Sequence, residues 1–198
     1  EPKSVKQSEL DMWYKIQKFN NEGRRTGTGI VALGDTLAAL GLKYGSENSI
    51  EKTERIYKTL KLGCYRSSVD MSKELGPFKE YDSSKEEGCE FIQNIKTEDE
   101  QLFKDMLKYG RRNIALTTSA PTGTVSIMTQ TTSGIEPLFM MSYTRRKKIC
   151  HNDTHSKIHF TDGSGDKWEE FTVYHPKIKE WMKITGKTDI SKSPWSGC

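Results

Sequence analysis

The chain has 198 residues, with 31 Lys and Arg against 27 Asp and Glu, for a net charge of +4. That length suits one domain or part of a larger one, and so small a basic excess does not argue for a nucleic-acid partner. No apolar run approaches the ~20 residues of a membrane span, and the first residues of this segment do not read as a signal peptide, which a longer N-terminus would carry upstream of Glu1. Hydrophobic residues make up 33% of the chain and mean hydropathy is −0.75, which is polar for a self-contained domain. Together with a start at Glu1 and a stop at Cys198, this predicts an interior segment of a longer protein. Cys64, Cys89, Cys150 and Cys198 are irregularly spaced and form no CxxC pair, so a reducing cytoplasm is the expected location.

In chain order, residues 8–19 place Leu10, Trp13, Ile16 and Gln17 at helical spacing, with Ser8 as N-cap. Residues 20–29 are rich in helix breakers and carry Arg24 and Arg25. Residues 30–40 read as an apolar helix whose one charge is Asp35, and a helix apolar on most faces expects burial. Ser49 is placed to cap a long amphipathic helix to Leu75, with Ile56, Leu60, Tyr65 and Val69 facing inward and Gly76-Pro77 ending it. Residues 78–88 read as a charged surface connection. A helix is predicted over 97–109, with Thr97 and Glu100 spaced as a capping box.

After Gly110 the pattern changes. Residues 114–118 read as a short buried strand, and 138–143, 157–161 and 168–174 as further strands, the last two joined by a Gly-Ser-Gly turn. His175-Pro176 opens a final helix carrying Ile178, Trp181 and Met182. Residues 1–110 are thus mainly helical, whereas 111–198 hold strands, a turn and a hairpin, for a mixed α/β class.

The segment richest in chemistry is 113–126. A buried strand runs into small residues, and Pro121 suits the first turn of a helix. Thr122, Gly123, Thr124, Val125 and Ser126 then open that helix. Its first N–H groups lack intrahelical partners and carry the positive end of the macrodipole, so an anion fits there, and Gly123 allows close approach. The same residue types also suit an ordinary capped turn. The spacing is neither a Walker loop nor a dinucleotide fingerprint, and Gly27-Thr-Gly29 follows a polar turn rather than a strand.

Other features carry plainer readings. His151, His155 and His159 are four apart beside Cys150, yet the intervening residues are poor helix formers, so a loop is expected and no metal site. Residues 162–166 resemble a calcium loop without its late bidentate Glu, and read as a hairpin turn. The run Arg145-Arg146-Lys147-Lys148 reads as a solvated or phosphate-facing strand end. Arg24 and Arg25 can orient an anion or pair with helix-end carboxylates. Glu136 can ionise near a site or serve as an acceptor that fixes the turn before Pro137.

The run from Gly110 to Ser126, GRRNIALTTSAPTGTVS, followed by TSGIEP from Thr132 to Pro137, resembles the signature of ribonucleotide reductase large subunits. GRRTGTG from Gly23, LGDTLAALGLKYGS from Leu33 and LGPF from Leu75 resemble the same family, in its order and at its spacing. The resemblance covers nearly the whole chain. It implies part of a ten-stranded α/β barrel, with residues 114–118 as one barrel strand and 30–40 packed within the assembly. It also implies that Pro121, Thr122, Gly123, Thr124 and Val125, with Ser126 continuing the turn, bind the diphosphate of a ribonucleotide. Arg24, Arg25 and Glu136 are candidate supporting residues.

The complete protein would reduce ribonucleoside di- or triphosphates by thiyl-radical chemistry, using a thioredoxin-like reductant, and would form a homodimer. No nucleic acid or membrane is implied as partner. The family's radical cysteine lies in an Asn-x-Cys-x-Glu pattern, which none of the four cysteines matches, so no catalytic residue is expected in this segment. Residues 129–137, 143–148 and 166–175 are most similar to the adenosylcobalamin-dependent branch; a separate di-metal subunit is the alternative radical source. A non-catalytic phosphate-binding module is the rival reading.

Overall fold

The computed structural model describes residues 2–150, 152–153 and 155–196. His151 of the histidine trio and Cys198 of the cysteine set lie outside the described residues. The class is mixed α/β, and the chain divides into two compact units, Glu1–Gly29 with Glu51–Ala120 and Ile30–Ile50 with Pro121–Cys198. No helix among the described residues is long and apolar enough to cross a membrane.

The first unit opens with α1 (Lys3–Gly23), longer at both ends than its sequence pattern indicates. Ser8 lies inside it and donates to Ser4 O (3.0 Å) instead of capping. No α1 residue is buried, and Leu10, Trp13, Ile16 and Phe19 are exposed. The long helix α3 (Glu47–Leu75) ends at Gly76, whose φ of +77° is a backbone conformation that suits glycine. Of its expected inward residues, Tyr65 and Val69 are buried and Ile56 and Leu60 half-buried.

The charged connection after α3 contains a short helix, α4 (Ser83–Glu87), capped by Asp82. The predicted 97–109 helix is two helices, α5 (Glu90–Glu98) and α6 (Glu100–Tyr109). The capping box does not form. Thr97 is in the last turn of α5 and donates to Gln93 O (3.2 Å), while Asp99 caps α6 by accepting from the Leu102 amide (2.9 Å). An ionised carboxylate at a helix N-terminus gains from both the hydrogen bond and the dipole. Tyr65, Val69, Ile92, Ile95, Leu102, Phe103, Met106 and Leu116 form the core of this unit.

Residues 114–118 are extended but do not make the expected strand. Their pairing with residues 26–28 is one parallel bridge, Thr28 with Thr117, carried by the Thr28 amide on Leu116 O (2.8 Å) and the Thr118 amide on Thr28 O (3.0 Å). Leu116 is buried in the core of this unit, but Thr117 and Thr118 are exposed. Gly29 and Gly27 are glycine for this approach: a Cβ on Gly29 would stand 2.2 Å from Thr118 O.

A buried cation organises the same region. Arg111 makes a two-pronged ion pair with Glu86 (3.1 and 2.8 Å) and donates to Asn113 O and Ile114 O (2.8 and 2.7 Å), all largely shielded from solvent. Its guanidinium also lies over the rings of Tyr65 and Phe78. Glu86 thus sits at the buried centre of a stretch whose composition reads as surface.

The second unit contains α2 (Leu33–Ala39), α7 (Gly123–Thr129), α8 (Pro176–Thr185) and a three-stranded antiparallel sheet in the order β1-β3-β2. Strand β1 (Ser142–Lys148) pairs along its length with β3 (Lys167–Tyr174), and β2 (Phe160–Thr161) adds two residues. The first strand therefore starts four residues later than expected and carries the basic run. That run is exposed; Arg146 pairs with Glu170 (2.8 Å) and Lys148 with Asp166. The 162–166 hairpin turn forms as expected, closed by Asp162 accepting from the Ser164 and Asp166 amides (3.0 Å each). Its carboxylate is therefore engaged within the turn.

The core of this unit joins Ala38, Ile178 and Trp195, with Leu138, Trp181 and Met182 packed against them. At its centre is Asp35, 7% exposed. Its Oδ1 accepts from Trp195 Nε1 (2.7 Å) and its Oδ2 from the Thr132 amide (2.9 Å). His175 Nε2 stands 3.7 Å from Oδ2, and neither ring nitrogen has a hydrogen-bond partner among the described residues. Burial holds the His175 pKa below its ordinary value, against the opposing pull of Asp35.

Replacing Glu86 with Ala strands a buried guanidinium, so the variant should lose roughly 3–5 kcal/mol of stability by chemical denaturation. For His175 the folded pKa lies below the unfolded one, so the unfolded state binds more protons once the pH falls to the histidine range. The melting temperature should therefore drop as pH falls from 7 through the ordinary histidine range, and the slope should flatten in a His175→Gln variant followed by calorimetry.

Candidate functional site

The turn that enters α7 shows how its backbone donors are distributed. Thr122 is the N-cap, with φ −56° and ψ 44° in place of the usual extended conformation. Pro121 thus precedes the cap, one position before the first helical turn assigned to it by the sequence pattern. The Gly123 amide bends back onto Pro121 O (2.5 Å), and the Ser126 amide reaches Thr122 O (2.8 Å). The Thr124 and Val125 amides have no acceptor among the described residues.

The cap hydroxyl does not occupy them. Thr122 Oγ1 instead accepts from the Gly134 amide (2.7 Å). Ser126 is buried, with its hydroxyl donating to Gly123 O (2.8 Å). Pro121, Gly123, Thr124 and Val125 are exposed, and a Cβ added to Gly123 would meet nothing within 4 Å. Among the described residues no side chain caps the Thr124 and Val125 amides. An anion can thus meet two free amides at the positive end of a two-turn helix.

The loop after α7 holds this arrangement. Gly134 O accepts from the Leu33 amide (3.2 Å), and Thr132 is bonded at both its amide and its hydroxyl by Asp35 (2.9 and 3.2 Å). Gly34 is required by the close packing of α2 here, since a Cβ would stand 2.8 Å from Glu136 O. The Glu136 side chain is exposed and its carboxylate makes no described bond. The backbone, with the Glu136 amide on Ser133 O (3.2 Å), holds the turn before Pro137 in place of that carboxylate.

Arg24 and Arg25 belong to the first unit and are exposed. Arg24 caps α1 in the left-handed conformation at φ 48°, and its carbonyl accepts from Asn113 Nδ2 (2.9 Å). Neither guanidinium pairs with a carboxylate among the described residues, so the expected helix-end partners are not engaged. Cys89 and Cys150 are exposed and Cys64 is half-buried. No group of three or more potential metal ligands occurs among the described residues; His155 and His159 lie on exposed, irregular backbone.

Sequence reasoning singled out the turn but passed over Asp35, Thr132 and Gly134, which shape it. The available signal was the lone carboxylate in an otherwise apolar helix. Such a group is rarely fully buried unless partnered, but its partners lie 97 and 160 residues away.

Over 123 residues the chain is 31% identical to a vitamin B12-dependent ribonucleoside-diphosphate reductase of Mycobacterium tuberculosis, covering 62% of this chain and 15% of that protein. A vitamin B12-dependent ribonucleoside-diphosphate reductase of Thermoplasma acidophilum is 28% identical over 131 residues, covering 66% of this chain and 15% of the relative. The ribonucleoside-diphosphate reductase subunit alpha of Helicobacter pylori is 26% identical over 141 residues, covering 63% and 18%. The chain thus spans less than a fifth of the length of these relatives. The model of the ribonucleotide reductase barrel domain matches residues 5–167, most of the chain, and the chain belongs to the ribonucleotide reductase family.

Proposed function

We propose that this segment supplies the substrate-diphosphate turn of a ribonucleotide reductase that converts ribonucleotides to deoxyribonucleotides by thiyl-radical chemistry. The observation that carries the reading is the pair of free amides at Thr124 and Val125 beside the open face of Gly123. In this reading the two N–H groups hold phosphate oxygens, and Pro121, Thr122 and Ser126 set the turn. The names of the relatives favour a diphosphate substrate. Residues 1–198 form part of one ten-stranded barrel domain, and the parallel pairing of residues 26–28 with 115–118 is the kind of contact neighbouring barrel strands make. Arg24 and Arg25, whose guanidinium groups have no ion-pair partner among the described residues, are cations of the kind that support anion binding, whereas the Glu136 carboxylate would repel a phosphate and can serve only as a hydrogen-bond acceptor. The complete protein is read as a cytoplasmic homodimer served by a thioredoxin-like reductant.

Two of the relatives are named as vitamin B12-dependent, which favours adenosylcobalamin as radical source over a di-metal subunit. No residue of this segment is assigned as a ligand of that cofactor. The contribution of this segment is to bind and orient the anionic end of the substrate, which fixes the ribose relative to groups elsewhere in the protein.

A Gly123→Val variant of the complete protein tests the reading. The added Cβ meets nothing within 4 Å, so folding should be spared while the approach of a phosphate is blocked. Calorimetric titration with cytidine diphosphate should show affinity reduced by about tenfold or more, the scale of one or two charge-assisted hydrogen bonds. Unchanged affinity would remove the turn from the substrate site.

A further inference from the structure

An N-cap threonine ordinarily turns its hydroxyl back onto the amides of the second or third helical residue. In α7 those are Thr124 and Val125, the two donors left free for an anion. Self-capping and anion binding therefore compete for the same N–H groups, and something must hold the Thr122 hydroxyl away. In this structure it is engaged by the Gly134 amide at 2.7 Å.

We propose that Asp35 is the positioning residue that keeps the phosphate turn open, an inference that rests on the diphosphate reading above. Asp35 bonds Thr132 twice, its amide donating to Oγ1 (3.2 Å) and its Oδ2 accepting from the Thr132 amide (2.9 Å). Two residues later Gly134 accepts from the Leu33 amide, at the start of the helix that carries Asp35. The 132–134 backbone is thereby fastened to α2 at both ends, and the Gly134 N–H is aimed at Thr122 Oγ1. The second carboxylate oxygen is saturated by Trp195 Nε1 (2.7 Å), which anchors Asp35 against the core. When this fastening is lost, Gly134 moves off, the Thr122 hydroxyl swings onto Thr124 or Val125, and the turn caps itself.

A carboxylate is needed because both of these partners are donors. An asparagine has one acceptor oxygen and can satisfy only one of them, unless Trp195 is also replaced. The amide nitrogen could then take the vacated side and leave its oxygen on Thr132.

The test uses the complete protein with cytidine diphosphate as probe, measuring its dissociation constant by calorimetry together with KM and kcat. Asp35→Ala should weaken binding and raise KM by about tenfold with kcat held, the scale of one lost hydrogen bond's worth of positioning. The double variant Asp35→Asn/Trp195→Phe should stay within about twofold of the parent. A merely structural Asp35 would instead lower kcat by reducing the folded fraction and leave KM alone. That result overturns the proposal, as does full affinity in Asp35→Ala.

Should Asp35→Ala fail to fold, the near-isosteric Thr132→Val removes one of the two bonds, and roughly threefold weaker binding is expected. Full affinity in that variant would overturn the proposal. Gly123→Val separates the two levels of inference. If it binds normally, the turn is not the site; if it binds weakly while Asp35→Ala binds normally, the turn stands and Asp35 has no part in it.

Discussion

A carboxylate buried in an apolar helix must find donors, and the donors it finds decide how the second unit is arranged. Desolvating an ionised group costs several kcal/mol when it goes unpaired, so Asp35 can sit in α2 only where other chain segments bring N–H groups to it. They come from the 132–134 loop and from Trp195 near the far end of the described chain. One buried charge thus joins three stretches of sequence, and the loop it holds also engages the cap of α7. His175 shares the same enclosure with no partner for either nitrogen among the described residues, which links the local electrostatics to the packing around Asp35.

The first unit obeys the same rule with the opposite sign. Arg111 is buried because Glu86 and two backbone carbonyls saturate its guanidinium and two aromatic rings cover its faces. The arginine stands where the chain leaves α6 and turns into the extended 114–118 stretch, so its contacts set the path of that stretch beside residues 26–28. Both units place an ion at the point where helices meet irregular backbone. Hydrophobic packing alone does not specify direction there, whereas hydrogen-bond geometry does.

In the proposed reading, the turn into α7 is a binding feature built from donors that the protein leaves unused. Its helix has only two turns, so the dipole adds little, and the free amides matter more. They are free because the cap hydroxyl is committed to another loop. Exposed Thr, Gly and Val positions around them keep the approach clear, and membership of the ribonucleotide reductase family gives the anion an identity in the proposed reading.

Much was legible in the sequence because it depends on local chemistry. The 3.6-residue period with Gly76 past its end marked α3, His175-Pro176 marked α8, and the Gly-Ser-Gly turn marked the β2–β3 hairpin. The ordered motifs around Gly23, Leu33, Gly110 and Thr132 marked the family and the turn at Pro121. Tertiary structure alone decided the rest. Asp99 displaced Thr97 as a cap, residues 114–118 formed one bridge with Thr28 in place of a strand, and Glu86 and Asp35 became centres because their partners lie 25 and up to 160 residues away. Propensity and periodicity act over a few residues, whereas the satisfaction of a buried charge depends on which distant segments fold against it.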